Sequence, residues 1–206
     1  TKIVIPDELA PTGNKIIILD ANTWKELRSI ALNNSTLALA SYTADGQRLL
    51  TISNEGVVSY WDADSGAVQT TTSGKLPLGE KSPLGGSLYG CFSPDGRRVL
   101  IVERYGLGVW DVATGRRVHA RLPIQVHGPA AAFSPDGRRF AAAVRGTPPR
   151  IQLWDATTGA PASPPIAGSG ERLQFTPDGL CLLSNGRESG RLWDVTTGEP
   201  LTGLLK

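Results

Sequence analysis

Short runs of β-prone residues recur along the chain, separated by clusters of Gly, Pro, Asp, Ser and Thr. LALASY and QRLLTI stand on either side of a turn ending at Gly46, and SLYGCF and RRVLIV flank one ending at Gly96. Runs of this kind, bounded by turn residues, predict short strands joined as hairpins. Apolar spacing of 3.6 residues is nowhere kept for a dozen positions, so helix has at most a marginal place.

The turns themselves repeat. FSPDG ends at Gly96 and again at Gly137, FTPDG ends at Gly179, and YTADG ends at Gly46. Pro presets φ, Asp bonds its own backbone and Gly accepts positive φ, so each copy reads as a hairpin loop. A second signature follows every one of them. SYWDADSGA (59–67), GVWDVATGR (108–116), QLWDATTGA (152–160) and RLWDVTTGE (191–199) share WDxxxxG without a gap, and IILDANTWKE (17–26) is a worn fifth copy. The anchors Leu19, Trp61, Trp110, Trp154 and Trp193 lie 42, 49, 44 and 39 residues apart, a unit of about 43 residues. A period of this size predicts one repeated supersecondary unit. After each WD turn, segments such as AVQTTT, RRVHARL and EPLTGLL fit a fourth strand, making units of four antiparallel strands.

These two signatures, in register over residues 15–205, resemble the WD-repeat β-propeller family. The style FSPDGRRVL followed by LWDxxTG is similar to bacterial WD-repeat arrays. The resemblance implies an all-β propeller of four-stranded antiparallel blades in one domain, residues 1–206. Its repeat units fall at 1–30 (partial), 31–72, 73–121, 122–165 and 166–206. With four complete repeats and a partial first, the propeller is either a closed five-bladed ring or an arc of a larger one. A lone blade leaves two apolar faces bare, so Trp61, Trp110, Trp154 and Trp193 are expected to fill the contacts between stacked blades. Asp62, Asp111, Asp155 and Asp194 are expected to cap N–H groups of the turns that follow them.

The family pattern is worn in one respect. Its blades often carry Gly-His before the first strand and Asp between the second and third, joined with Ser or Thr and the Trp in a buried hydrogen-bond network. This chain has only His119 and His127, and Asn54-Glu55, Glu103-Arg104-Tyr105, Arg145-Gly146 and Arg187-Glu188 occupy those turns. Stability is therefore expected to rest on apolar stacking rather than on a polar network.

Composition narrows the partners. Lys and Arg total 21 against 19 for Asp and Glu, a formal charge of +2, which carries neither a nucleic-acid footprint nor an electrostatic membrane anchor. No window approaches the apolar length of a membrane span. Cys91 and Cys181 lack any metal or redox spacing and read as buried thiols, with the cytoplasm as the expected location. Methionine is absent, even at position 1, which gives the expectation that more chain lies upstream.

The motifs that would carry chemistry are each incomplete. There is no HExxH and no paired CxxC, so neither a metal nor a cofactor is expected. GKLPLGEKS (74–82) breaks the contiguous GK of a phosphate loop and reads as an interblade loop. RYGLGVW lacks the third glycine of a dinucleotide fingerprint, and GSLYG (86–90) misplaces the serine of a nucleophile elbow. The doublets Arg97-Arg98, Arg116-Arg117 and Arg138-Arg139 read as a solvated strand face rather than a ring for acidic partners.

What the resemblance implies is a non-catalytic protein–protein interaction scaffold. Its partner is a protein or a neighbouring domain of a longer bacterial polypeptide, with no nucleic acid and no membrane. On the rim opposite the doublets, the candidate contacts are Arg104, Tyr105, Arg145, Arg150, Arg187 and Glu188; Arg and Tyr are enriched in interface hot spots. Two other readings stand beside it. One is a hydrolase or lyase with His127 at the central opening; the other is an architectural module that self-associates through an open propeller edge.

Overall fold

The computed structural model describes residues 2–6, 15–32, 37–72, 75–76, 89–103, 106–186 and 189–203, with the backbone alone at 2–6 and 127–129. Among these residues every regular element is a strand, and no helix is long and apolar enough to cross a membrane. The chain divides into two compact units, Thr1–Leu88 with Val112–Arg116, and Tyr89–Asp111 with Arg117–Lys206.

Two antiparallel meanders make up the first unit. β1 (Lys2–Pro6), β2 (Lys15–Asp20) and β3 (Glu26–Ala31) form one sheet. β4 (Leu37–Tyr42), β5 (Arg48–Ser53), β6 (Val58–Asp62) and β7 (Val68–Thr71) form the other. Side chains alternate across a strand, so Ile16 and Ile18 of β2 turn to one face together. They meet Ile30, Leu49 and Trp61 in a single buried cluster, with Ile16 and Leu49 fully shielded. Each such aliphatic side chain contributes about 2 kcal/mol by leaving water.

Three sheets make up the second unit. They are β8 (Gly90–Phe92), β9 (Arg98–Glu103) and β10 (Gly106–Asp111); β11 (Val126–Phe133), β12 (Arg139–Val144) and β13 (Arg150–Asp155); and β14 (Arg172–Phe175), β15 (Cys181–Asn185) and β16 (Gly190–Asp194). The middle sheet is covered on both faces. Ala141, Ala143, Ile151 and Leu153 cluster with Leu173, Leu182 and Trp193 of the third sheet. Phe140, Ala142, Val144 and Trp154 cluster with Leu100, Leu107 and Val109 of the first. This explains why β12 reads FAAAV without polar alternation: a strand buried on both faces has no solvent side to mark. The sheets thus stack face to face in chain order, and β11 lies beside β8 and β14.

Four strands per unit, as the sequence predicts, hold for one sheet among the described residues, β4-β5-β6-β7. In the second unit the fourth segment is reduced to isolated bridges: Arg117 with Trp110, Leu122 with Leu107, Pro161 with Trp154, Ile166 with Ile151, and Pro200 with Trp193. Proline stands at a bridge in two of the three sheets: Pro161 and Pro200 have no N–H to give, so a continuous ladder does not form there.

Candidate functional site

The two recurring turns are built the same way each time. In the first, a Ser or Thr hydroxyl donates to the Asp two residues on: Thr43 to Asp45 at 2.5 Å, and Ser93, Ser134 and Thr176 to Asp95, Asp136 and Asp178 at 2.6 Å. The same oxygen accepts the N–H five residues later, as from Arg139 to Ser134 at 3.0 Å. Gly46, Gly96, Gly137 and Gly179 close these turns at φ between +67° and +72°, where a side chain would be strained. Burial works against ionisation of Asp95 most strongly, but the Ser93 hydroxyl and the Arg97 N–H together outweigh it and hold the carboxyl low. For Asp45, Asp136 and Asp178 the neighbouring hydroxyl is the largest cause of the same lowering.

In the second turn the Asp after the tryptophan does the capping. Asp62 accepts the N–H of Ser65 at 2.7 Å and its hydroxyl at 2.7 Å; Asp155 and Asp194 do the same with Thr158 and Thr197. Asp111 holds the corresponding place at the end of β10 and is also engaged. The backbone N–H is the largest cause holding Asp62, Asp155 and Asp194 below the usual carboxylate range. Asp62, Asp155 and Asp194 thus cap N–H groups of the turns that follow them. The worn copy keeps the turn as well: Asp20 accepts the N–H of Thr23 at 2.8 Å, and Trp24 stands where the other copies have glycine, at φ +58°.

The anchor tryptophans Trp61, Trp110, Trp154 and Trp193 are buried, at 3–7% exposure. Their indole N–H groups show that part of the polar network survives. Trp61 donates to Thr51 and Trp193 to Ser184, both at 2.9 Å. In the sheet of Trp110 the corresponding residue is Ile101, which has no hydroxyl, and the indole donates instead to Glu103 at 3.3 Å. Glu103 is also held by Arg117 through two bonds, at 2.8 and 3.2 Å, and the guanidinium lies 4.1 Å over the Trp110 ring. With side chains only 28% and 18% exposed, this pair is worth more than the Lys75–Glu55 pair, which is 65% and 67% exposed and contributes about 0–1 kcal/mol. Polar contacts of the buried indoles therefore accompany the apolar stacking.

Of the predicted contact residues, Arg145 and Arg150 are exposed and bracket the β12–β13 turn, with no side-chain partner among the described residues. Arg104, Tyr105, Arg187 and Glu188 lie outside the described residues, as do the His127 side chain and all of 74–82 except Lys75 and Leu76. Two arginines of the doublets have structural partners. Arg98 donates to Thr157 at 3.2 Å, and Arg117 is the one on Glu103. Cys91 and Cys181 are free, and burial pushes the Cys91 thiol up to about 12.

One feature escaped sequence reasoning. At the end of the third sheet, a cavity of about 420 Å³ is lined by Ser169, Glu171, Gly186, Ser189 and Arg191, among others. Arg191 lies 5.3 Å over the Trp193 ring, and its Nε is buried without a hydrogen-bond partner. Glycine keeps the wall thin: a Cβ on Gly168 would come within 2.5 Å of the Trp193 ring. The signal was the density of small residues in GSGE (168–171), SNG (184–186) and SGR (189–191), which sequence reading leaves as loop. Among the described residues, no group of three or more His, Cys, Asp or Glu side chains converges as metal ligands would. Compared with known proteins, the chain matches no family model and no curated protein.

Proposed function

We propose that the chain is a run of WD-repeat propeller blades, of bacterial type, serving as a non-catalytic scaffold for a protein partner or a neighbouring domain. The observation that carries the reading is the face-to-face stacking of the second unit's three sheets in chain order, with β11 beside β8 and β14, together with four copies of the hydroxyl-to-Asp turn along the chain. Such a stack holds one end of each hairpin rigid and leaves the opposite turns free to differ. The β12–β13 turn supports this reading: its core strands are all but wholly buried, while Arg145 and Arg150 stand exposed at its ends. Exposed arginines on a rigid frame add no backbone ordering cost on binding, and their charge suits recognition of an acidic protein surface.

The test compares the parent chain with the double variant Arg145→Glu, Arg150→Glu. Both are immobilised and the proteins each retains from its source cells are quantified. The reading expects a specific subset to fall by about tenfold or more with the variant, the scale of losing one or two hot-spot contacts. Thermal unfolding should stay within about 2 °C, because exposed turn residues contribute little to stability. Equal retention by both proteins would remove this turn from the interface.

A further inference from the structure

We propose that the cavity beside Arg191 is a carboxylate-binding pocket that receives the Asp or Glu side chain of an acidic peptide segment. The proposal deepens the scaffold reading and rests on it for the kind of partner. The argument comes from comparing two sheets of the same unit. In the sheet β8-β9-β10, Val99 pairs with Trp110, and four residues beyond Val99 stands Glu103, whose carboxylate satisfies a guanidinium stacked on the indole. In the sheet β14-β15-β16, Leu182 pairs with Trp193, and four residues beyond Leu182 stands Gly186, which has no side chain. A guanidinium again stacks on the indole, here from Arg191, but its Nε is buried and unpartnered. The position that Glu103 fills in the other sheet carries no side chain here, and Gly186 lines a cavity of about 420 Å³.

An unpaired buried N–H of a cation is costly, and an external carboxylate supplies what Glu103 supplies internally. The hydroxyls of Ser169 and Ser189 also line the space and can donate to a second oxygen. Among the described residues, the wall also carries the exposed Glu171 carboxylate. Its repulsion acts more strongly on a phosphate dianion than on a singly charged carboxylate, which selects between the two anions. Gly186 is in turn an open position: a Cβ there would come no nearer than 3.8 Å to the Ser189 carbonyl.

The test uses the whole chain labelled with 15N and reads the Nε–H resonance of Arg191. The probes are an acetylated, amidated hexapeptide containing alternating Glu and Gly, its Gln-for-Glu counterpart, and inorganic phosphate. The Glu peptide is expected to shift the Arg191 signal saturably at or below about 1 mM, the Gln peptide to leave it in place, and phosphate to act at least about fivefold more weakly. Arg191→Gln is expected to abolish peptide binding, and Arg191→Lys to weaken it about fivefold or more through loss of the planar fork. Gly186→Glu keeps the arginine and supplies the carboxylate from within, so it should also abolish peptide binding while raising the thermal midpoint. An Arg191 signal indifferent to the Glu peptide up to about 10 mM, or full binding by Gly186→Glu, would overturn the pocket. Equal binding of phosphate would overturn its carboxylate selectivity. Because the readout is Arg191 itself, failure here leaves partner retention through Arg145 and Arg150 as a separate result.

Discussion

At Trp24 a single φ angle separates the worn repeat from the other copies. Every other copy of the turn has glycine four residues after its Asp, and those glycines sit at φ between +66° and +75°. Trp24 takes the same conformation at +58° with its indole 67% exposed, so it bears the left-handed cost with little burial in return. Trp24→Gly is expected to raise stability by about 1 kcal/mol in urea titration; a loss of stability would mean that the indole has a packing role. The Ser and Thr of the first turn carry the opposite lesson. Ser134 is 2% exposed and serves both Asp136 and the backbone of Arg139, so Ser134→Ala should cost about 1–2 kcal/mol. The aspartates set the pH dependence. Their folded values lie below the unfolded ones, so their stabilisation is complete above about pH 4 and lost as the pH falls through the folded values. The urea midpoint should be level from about pH 7 to 5 and drop between about 4 and 2; a midpoint that held at pH 2 would contradict the capping account.

Between sheets, aromatic and small residues divide the work. Phe140 is fully buried, stacked 5.3 Å from the Trp154 ring and edge-on to Phe133 at 6.2 Å, whereas its neighbours in β12 are alanines that let the adjacent sheets approach. Phe140→Ala should therefore cost about 3–5 kcal/mol, measured by denaturant unfolding, since the rigid strands on either side cannot collapse into the space. A cost below about 1 kcal/mol would mean the second unit is loosely packed. The strands were legible in the sequence wherever a turn signature bracketed them, because Asp-Gly and the hydroxyl-to-Asp bond are local and need no partner from afar. β9, β12 and β15 begin two residues after their Asp-Gly for that reason. The fourth strand was less legible. Its β-prone residues suited pairing, but Pro161 and Pro200 withheld the N–H at the first position, and propensity gives way to a missing donor. The indole bonds of Trp61 and Trp193 depended on Thr51 and Ser184, each two residues past the paired position on another strand, a relation visible only once the register is known.

The repeat itself, five anchors at nearly even spacing, was the most legible property of all, because a period in the sequence needs no side-chain detail to be seen. The Arg191 cavity was the least legible: it arises from a side chain absent at Gly186 and a cation stacked across strands, and neither is written in a local motif. Arg145 and Arg150 fall between these, since their turn position could be read but their surroundings could not. Everything proposed for function presupposes that successive sheets hide their apolar faces against one another in chain order. A map of methyl-to-methyl nuclear Overhauser contacts in the second unit tests this most directly. It should connect Leu173 and Leu182 with Ala141, Ala143 and Leu153, and Leu100 and Val109 with Ala142 and Val144. Contacts confined to strands of the same sheet, with β12 joined to neither neighbour, would contradict it.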